Sequence, residues 1–162
     1  SVPCLAYSFI IKDQYNINVE KAAKKGIKPG PKMGELQKKG KTTIEGKTVK
    51  VGEVATLKKG KKVSFIFDTR ICKECIEIAE EADLLISESS FQQEHAERAA
   101  KGKHLSTKDA ADIATQANVK KLLITHFSQR YKNTEKLKQE ITDLFPSSIV
   151  AYDLMNVKIH SK

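Results

Sequence analysis

With 162 residues, 40% of them hydrophobic and 30% charged, the chain is long enough for one domain around one buried core and too apolar to stay disordered. No apolar run approaches the ~20 residues that span a bilayer, and Ser1 to Tyr7 lacks the basic start of a signal peptide. The net charge of +9 is unevenly placed: fifteen lysines face five acidic residues between Lys12 and Lys62, a local +10 that leaves −1 for the rest.

In chain order, Leu5 to Lys12 is apolar and β-prone, which predicts a buried strand. A strand so near the first residue suggests that a preceding segment belongs with it. Val19 to Lys25 predicts a short helix ending at Gly26. In Ile27-Lys28-Pro29-Gly30-Pro31-Lys32-Met33-Gly34, two prolines around a glycine predict irregular chain. Thr42 to Val51 predicts a hairpin turning at Glu45-Gly46. After Lys62 the pattern alternates. Strands are expected at Val63–Phe67, Asp83–Ser87, Lys121–Thr125, Ile149–Tyr152 and Val157–His160. Helices are expected at Ile71–Glu81, Gln92–Lys101, Thr107–Ala117 and Thr134–Leu144. Such alternation implies a layered α/β domain, with chemistry placed just after strand ends.

The Lys-rich segment reads as an electrostatic footprint for a polyanion. Its scarcity of aromatic residues argues for phosphate contacts over base stacking. Three cysteines, an odd number, suggest a reducing, cytoplasmic compartment. Cys72-Lys73-Glu74-Cys75 opens an amphipathic helix without a matching second pair. It reads as ordinary helix residues rather than a redox pair or half a zinc site.

Two residues with ligand chemistry follow apolar strands directly: Asp68 after Phe67, and His126 after Thr125. Each alone is explained as well by hydrogen bonding or helix capping. Together, a carboxylate and an imidazole suit zinc. His104 precedes a helix for which Ser106 or Thr107 is an ordinary N-cap. His95 reads as solvent-facing, and His160 lies at a terminus.

Glu88-Ser89-Ser90-Phe91, His104-Leu105-Ser106-Thr107 and Thr125-His126-Phe127-Ser128-Gln129-Arg130-Tyr131 resemble ribonuclease Z in order and spacing. Asp68-Thr69 resembles that family's metal motif, although Phe67 stands where many relatives carry Gly. Lys28-Pro29-Gly30-Pro31-Lys32 resembles its tRNA-gripping arm. The resemblance runs from about Val2 to the end. It implies an α/β metallo-β-lactamase αββα sandwich, of which residues 1–162 would be the C-terminal half, with residues 13–62 as an inserted basic arm. It implies two Zn2+ ions per complete site, Asp68 bridging them and His126 binding one. His104 would protonate the leaving 3′ oxygen, and Ser128 and Arg130 would face phosphate oxygens.

The implied function is a zinc-dependent endoribonuclease that removes the 3′ trailer from precursor tRNA, homodimeric when complete. The family's His-x-His-x-Asp-His motif is absent. A missing N-terminal half is therefore expected to supply most ligands, and this half alone is expected to be inactive. The alternatives are a non-catalytic tRNA-binding module, or a phosphodiesterase of the same fold acting on another substrate.

Overall fold

The computed structural model describes residues 3–159. The chain divides into two compact units: residues 3–10 with 61–159, and Ile11–Gly60.

The larger unit is built on a five-stranded sheet in the order β1 (Tyr7–Ile11), β6 (Lys61–Ile66), β7 (Leu84–Glu88), β8 (Leu122–Thr125) and β9 (Ser148–Val150). The strands β6 to β9 run parallel. Helical crossovers join them: α3 (Lys73–Ala79), then α4 (Ala96–Gly102) and α5 (Thr107–Gln116), then α6 (Glu135–Leu144). Parallel neighbours need such crossovers, because a tight hairpin can only reverse the chain. Strand period two sorts the faces. Ile66, Leu85, Leu122 and Ile124 are buried against Cys75 and Ala79 of α3, Ala110, Ile113 and Ala114 of α5, and Ile141 of α6. The register aligns Phe65, Ile86, Leu123 and Ile149 in a row on the opposite face. Of these, Phe65, Ile86 and Ile149 are only half-buried, and Phe65 meets Phe9 edge-on at 5.7 Å.

The sequence expectation of a buried first strand is corrected here. β1 lies at the sheet edge, and Tyr7, Phe9, Ile10 and Ile11 are 57–67% exposed. Its apolar residues reflect β-propensity and an open apolar face, because no described element covers it. The Ile149–Tyr152 strand is shorter than expected, stopping at Val150, and 157–159 is irregular. His160 lies outside the described residues.

The smaller unit holds two antiparallel pairs, β2 (Gln14–Ile17) with β5 (Ala55–Lys58), and β3 (Lys41–Ile44) with β4 (Lys47–Lys50). The β3–β4 hairpin turns at Glu45-Gly46, as expected from the sequence. Two helices, α1 (Val19–Lys24) and α2 (Pro31–Lys39), complete the unit. Ala22, Ile27, Leu36, Val49, Val51 and Val54 form its own small core. The expected irregular stretch gives way to α2 at Pro31. Proline fits a first helical position because its missing N–H would have no partner there anyway. Gly30 just before it has φ 144°, a conformation side chains resist. Among the described residues no helix is long and apolar enough to cross a membrane.

Candidate metal centre

Three adjacent parallel strands deliver their following residues to one edge of the sheet. Asp68 comes two residues after β6, Glu88 is the last residue of β7, and His126 directly follows β8. Asp68 and His126 both have positive φ, 49° and 57°, so the chain turns sharply where each side chain must aim.

His104 arrives from the loop between α4 and α5. Its backbone N–H caps α4 through Ala99 O at 2.9 Å. The loop is held beside the segment after β7 by a bridge between Phe91 and Ser106 and by the Thr107 N–H donating to Phe91 O at 2.8 Å. Ser106 caps α5 by accepting from the Asp109 N–H, in a reciprocal capping box.

One potential ligand atom from each of Asp68, Glu88, His104 and His126 lies within 4.8 Å of the others. The closest pair is Glu88 Oε2 and His104 Nδ1 at 2.9 Å. Glu88 is fully buried, and also accepts from the Thr69 backbone N–H at 2.7 Å and the Ser90 hydroxyl at 2.9 Å. Such a carboxylate is satisfied as an anchor for the loops around it. His126 Nδ1 lies 3.4 Å from Asp68 Oδ1 and 3.3 Å from Ser90 Oγ. Asp68 and His126 are the open side of the cluster, 65% and 48% exposed, against 33% for His104.

The donor set suits a metal of the nitrogen- and oxygen-binding kind. Two ligands on one tetrahedral zinc, with bonds of about 2.1 Å, stand roughly 3.4 Å apart, as Asp68 Oδ1 and His126 Nδ1 do. These two can hold part of a metal site, but a catalytic zinc takes about three protein ligands.

Downstream of His126 the chain is pinned back onto the same edge. The Ser128 N–H donates to Ser90 O at 3.1 Å, and Tyr131 OH accepts from the Gln92 N–H at 2.8 Å. Arg130 Nε donates to Ser128 Oγ at 3.3 Å, and its guanidinium lies 5.0 Å from the Phe91 ring centroid. Phe91 in turn stands beside His104, ring centroids 6.3 Å apart. The structure thus gathers Asp68, His104, His126, Ser128 and Arg130 in one unit. Lys28, Pro29, Gly30, Pro31 and Lys32 lie exposed in the other unit, around the start of α2. His95 is apart from the cluster, half-exposed near Glu94.

Two residues of the site have no role in the sequence reading, Glu88 being named there only as part of a motif. Glu88 ends an apolar strand just as Asp68 and His126 follow theirs, and that rule could have found it. Glu140 of α6 accepts from the Gln92 side chain, the Gln93 N–H and the Thr107 hydroxyl, tying both loops of the site to one helix. Nothing in its helical surroundings distinguishes it.

No protein-family model matches the chain. Ribonuclease Z of Methanothermobacter thermautotrophicus is 39% identical over 160 residues, 98% of this chain and 52% of that protein. Ribonuclease Z of Protochlamydia amoebophila is 39% identical over 143 residues, 88% of this chain and 46% of that protein. The chain is similar to ribonuclease Z over nearly all of its own length. It spans about half the length of the ribonuclease Z relatives it matches. A long form RNase Z from yeast superposes with a TM-score of 0.51 at 35% identity, covering 58% of this chain and 13% of that one. A metallo-β-lactamase fold protein, YhfI from Bacillus subtilis, superposes with a TM-score of 0.50 at 27% identity, covering 56% and 36%. The α/β layer therefore has the metallo-β-lactamase fold over the part compared, and the fold implies a metal.

Proposed function

We propose that the chain contributes the C-terminal half of a zinc-dependent endoribonuclease that removes the 3′ trailer from precursor tRNA. The observation that carries this reading is the meeting of Asp68, Glu88, His104 and His126 at one sheet edge, in a chain similar to ribonuclease Z over almost all its length. Two zinc ions, when bound, would supply Lewis-acid activation of water and of a phosphoryl oxygen. Asp68 and His126 are the residues of this chain that would hold them. A first half carrying the His-x-His-x-Asp-His motif supplies the remaining ligands.

Glu88 engages His104 Nδ1 and so fixes the ring. That leaves Nε2 as the nitrogen that exchanges a proton with the leaving 3′ oxygen, a role worth about 10²- to 10⁴-fold. Arg130 offers a planar, permanently charged guanidinium to phosphate, with Ser128 beside it. The arm, expected at residues 13–62, is in this reading residues 13–60, since Lys61 and Lys62 belong to β6; its lysines, Lys28 and Lys32 among them, grip tRNA phosphates. The complete enzyme is a cytoplasmic homodimer in this reading.

The test is cleavage of a precursor tRNA bearing a 3′ trailer, in zinc, with and without a separately produced first half. Cleavage after the discriminator base only when both halves are present is the expected result. One observation favours a second reading, a non-catalytic tRNA-binding module: Asp68 and His126 are two ligands where a catalytic zinc takes about three. A folded complex of both halves that binds the RNA without cutting it would establish that reading instead.

A further inference from the structure

All three cysteines of the chain line one cavity of about 470 Å³, with Ala6, Phe67 and Thr69 in its wall. The cysteines are free thiols. Cys72 precedes α3 and Cys75 lies in its first turn, and their sulfurs are 3.4 Å apart. Cys72 is half-buried, whereas Cys75 is only 4% exposed. The pair therefore has one sulfur within reach of a solute in the cavity and one shielded behind it.

The same thiols touch the segment that carries Asp68. Cys4 Sγ donates to Phe67 O at 2.9 Å, and Cys75 Sγ to Arg70 O at 3.9 Å. Between these two carbonyls lie Asp68, with its positive φ, and Thr69, whose N–H is bound to Glu88. Two weak thiol donors and one strong amide donor thus tether the irregular chain between β6 and α3.

We propose that Cys72 and Cys75 form a thiol–disulfide switch, closed by a small-molecule disulfide and felt at the Asp68–Thr69 loop. Closure proceeds in two exchanges. The Cys72 thiolate attacks one sulfur of the small disulfide, whose other sulfur leaves as a thiolate and takes a proton. Cys75 then loses its proton and attacks the Cys72 sulfur, expelling the second small thiol. The net change is one protein dithiol and one small disulfide converted to one protein disulfide and two small thiols. The order follows from access. Burial, and then the hydrogen bond to Cys72, push the Cys75 thiol up to about 12, so it reacts second and from within the pair. Closure consumes the Cys75 S–H and with it the contact to Arg70 O, leaving the loop with one thiol tether. The two sulfurs already stand 3.4 Å apart, so the bridge requires little movement of α3 itself.

The switch is independent of the substrate assigned to the site, and its test needs no activity. The chain is equilibrated with oxidised glutathione, quenched with an alkylating reagent and digested. The peptide holding Cys72 and Cys75 is expected unlabelled and lighter by two hydrogens, and dithiothreitol should restore it. Cys4→Ser should behave like the parent, while Cys72→Ser should give no closed peptide. Amide exchange at Thr69 should accelerate on closure by about tenfold, as a released local contact would allow. Three outcomes would overturn the proposal: glutathione retained on Cys72 with Cys75 still free, a disulfide that involves Cys4, or a closed pair with Thr69 exchange unchanged.

Discussion

The carboxylate of Glu88, wholly shielded from solvent, meets His104 Nδ1 at 2.9 Å while also receiving the Thr69 N–H and the Ser90 hydroxyl. A buried carboxylate with three donors cannot lose its oxygens without stranding all three. Glu88→Ala is expected to cost about 3–5 kcal/mol, the range for breaking a buried charged network. Glu88→Gln keeps the shape but turns one acceptor into a donor facing His104 or Ser90, and is expected to cost less. Urea unfolding of both variants reads the difference. Equal and small losses would mean that Glu88 anchors nothing.

Asp68 and His126 form the exposed side of the cluster, and His104 Nδ1 is hydrogen-bonded to the buried Glu88. Asp68→Ala and His126→Ala are therefore expected to release metal from the reconstituted enzyme and abolish cleavage with it. His104→Ala is expected to leave metal affinity within about 10-fold of the parent, the lower range for residues outside the ligand shell. It should lower turnover by about 10²- to 10⁴-fold. Zinc content by mass spectrometry beside single-turnover cleavage separates the cases. Equal zinc loss in all three would remove His104 from its assigned role.

How far the sequence could be read follows from what its signals encode. The parallel β6–β9 layer was legible because each strand is an apolar run and each crossover an amphipathic helix. Strand ends then pointed to Asp68 and His126. The exposure of β1 was not legible in its own residues, since an apolar strand reads alike whether or not its neighbour is present. Nor was α2, because Pro31 looks like a breaker until it stands at the first helical position. Glu88 was named within the Glu88-Ser89-Ser90-Phe91 motif, but nothing local showed that its carboxylate would meet His104. The nearness of Cys72 to Cys75 was legible as spacing, but their shared cavity with Cys4 depends on a fold contact across more than sixty residues.

Asp83 gives the larger unit a pH dependence with a definite sign. Burial acts to raise its pKa. It is outweighed by Lys120, the Lys62 backbone N–H and Lys61, and the carboxyl is held below its ordinary value of 3.8. Such a group contributes stability that is fully present above the unfolded value and is lost as pH falls through the lower folded value. The parent is expected to exceed Asp83→Asn in stability by about 1–3 kcal/mol at neutral pH, for a carboxylate hydrogen-bonded in a buried position. Below about pH 4 the gap should narrow, as both states become protonated. Denaturation midpoints across pH 2 to 7 check the sign. A gap that widens on acidification would mean that the lysines do not stabilise the ionised form.

The proposed arm carries its charge in a small folded unit, not a loose tail. Glu35 takes both Lys32 and Lys39, Glu53 takes Lys25, and Asp13 takes Lys59. These pairs are exposed and contribute little to stability, so a polyanion can compete for the lysines at small cost. Binding to tRNA should fall steeply with salt, because each neutralised phosphate releases counterion. Replacing Lys28 and Lys32 together by Ala should lower the slope of log affinity against log salt by about 1–2, one phosphate contact for each residue that makes one. Thermal unfolding should hardly change, since both side chains lie at the surface and neither belongs to the core around Leu36. A control separates charge from fold: Leu36→Ala should cost about 2–5 kcal/mol and weaken binding only as far as the arm unfolds. A salt slope identical in the parent and the double lysine variant would show that these residues do not meet phosphate, and would move the footprint to other lysines of the same segment.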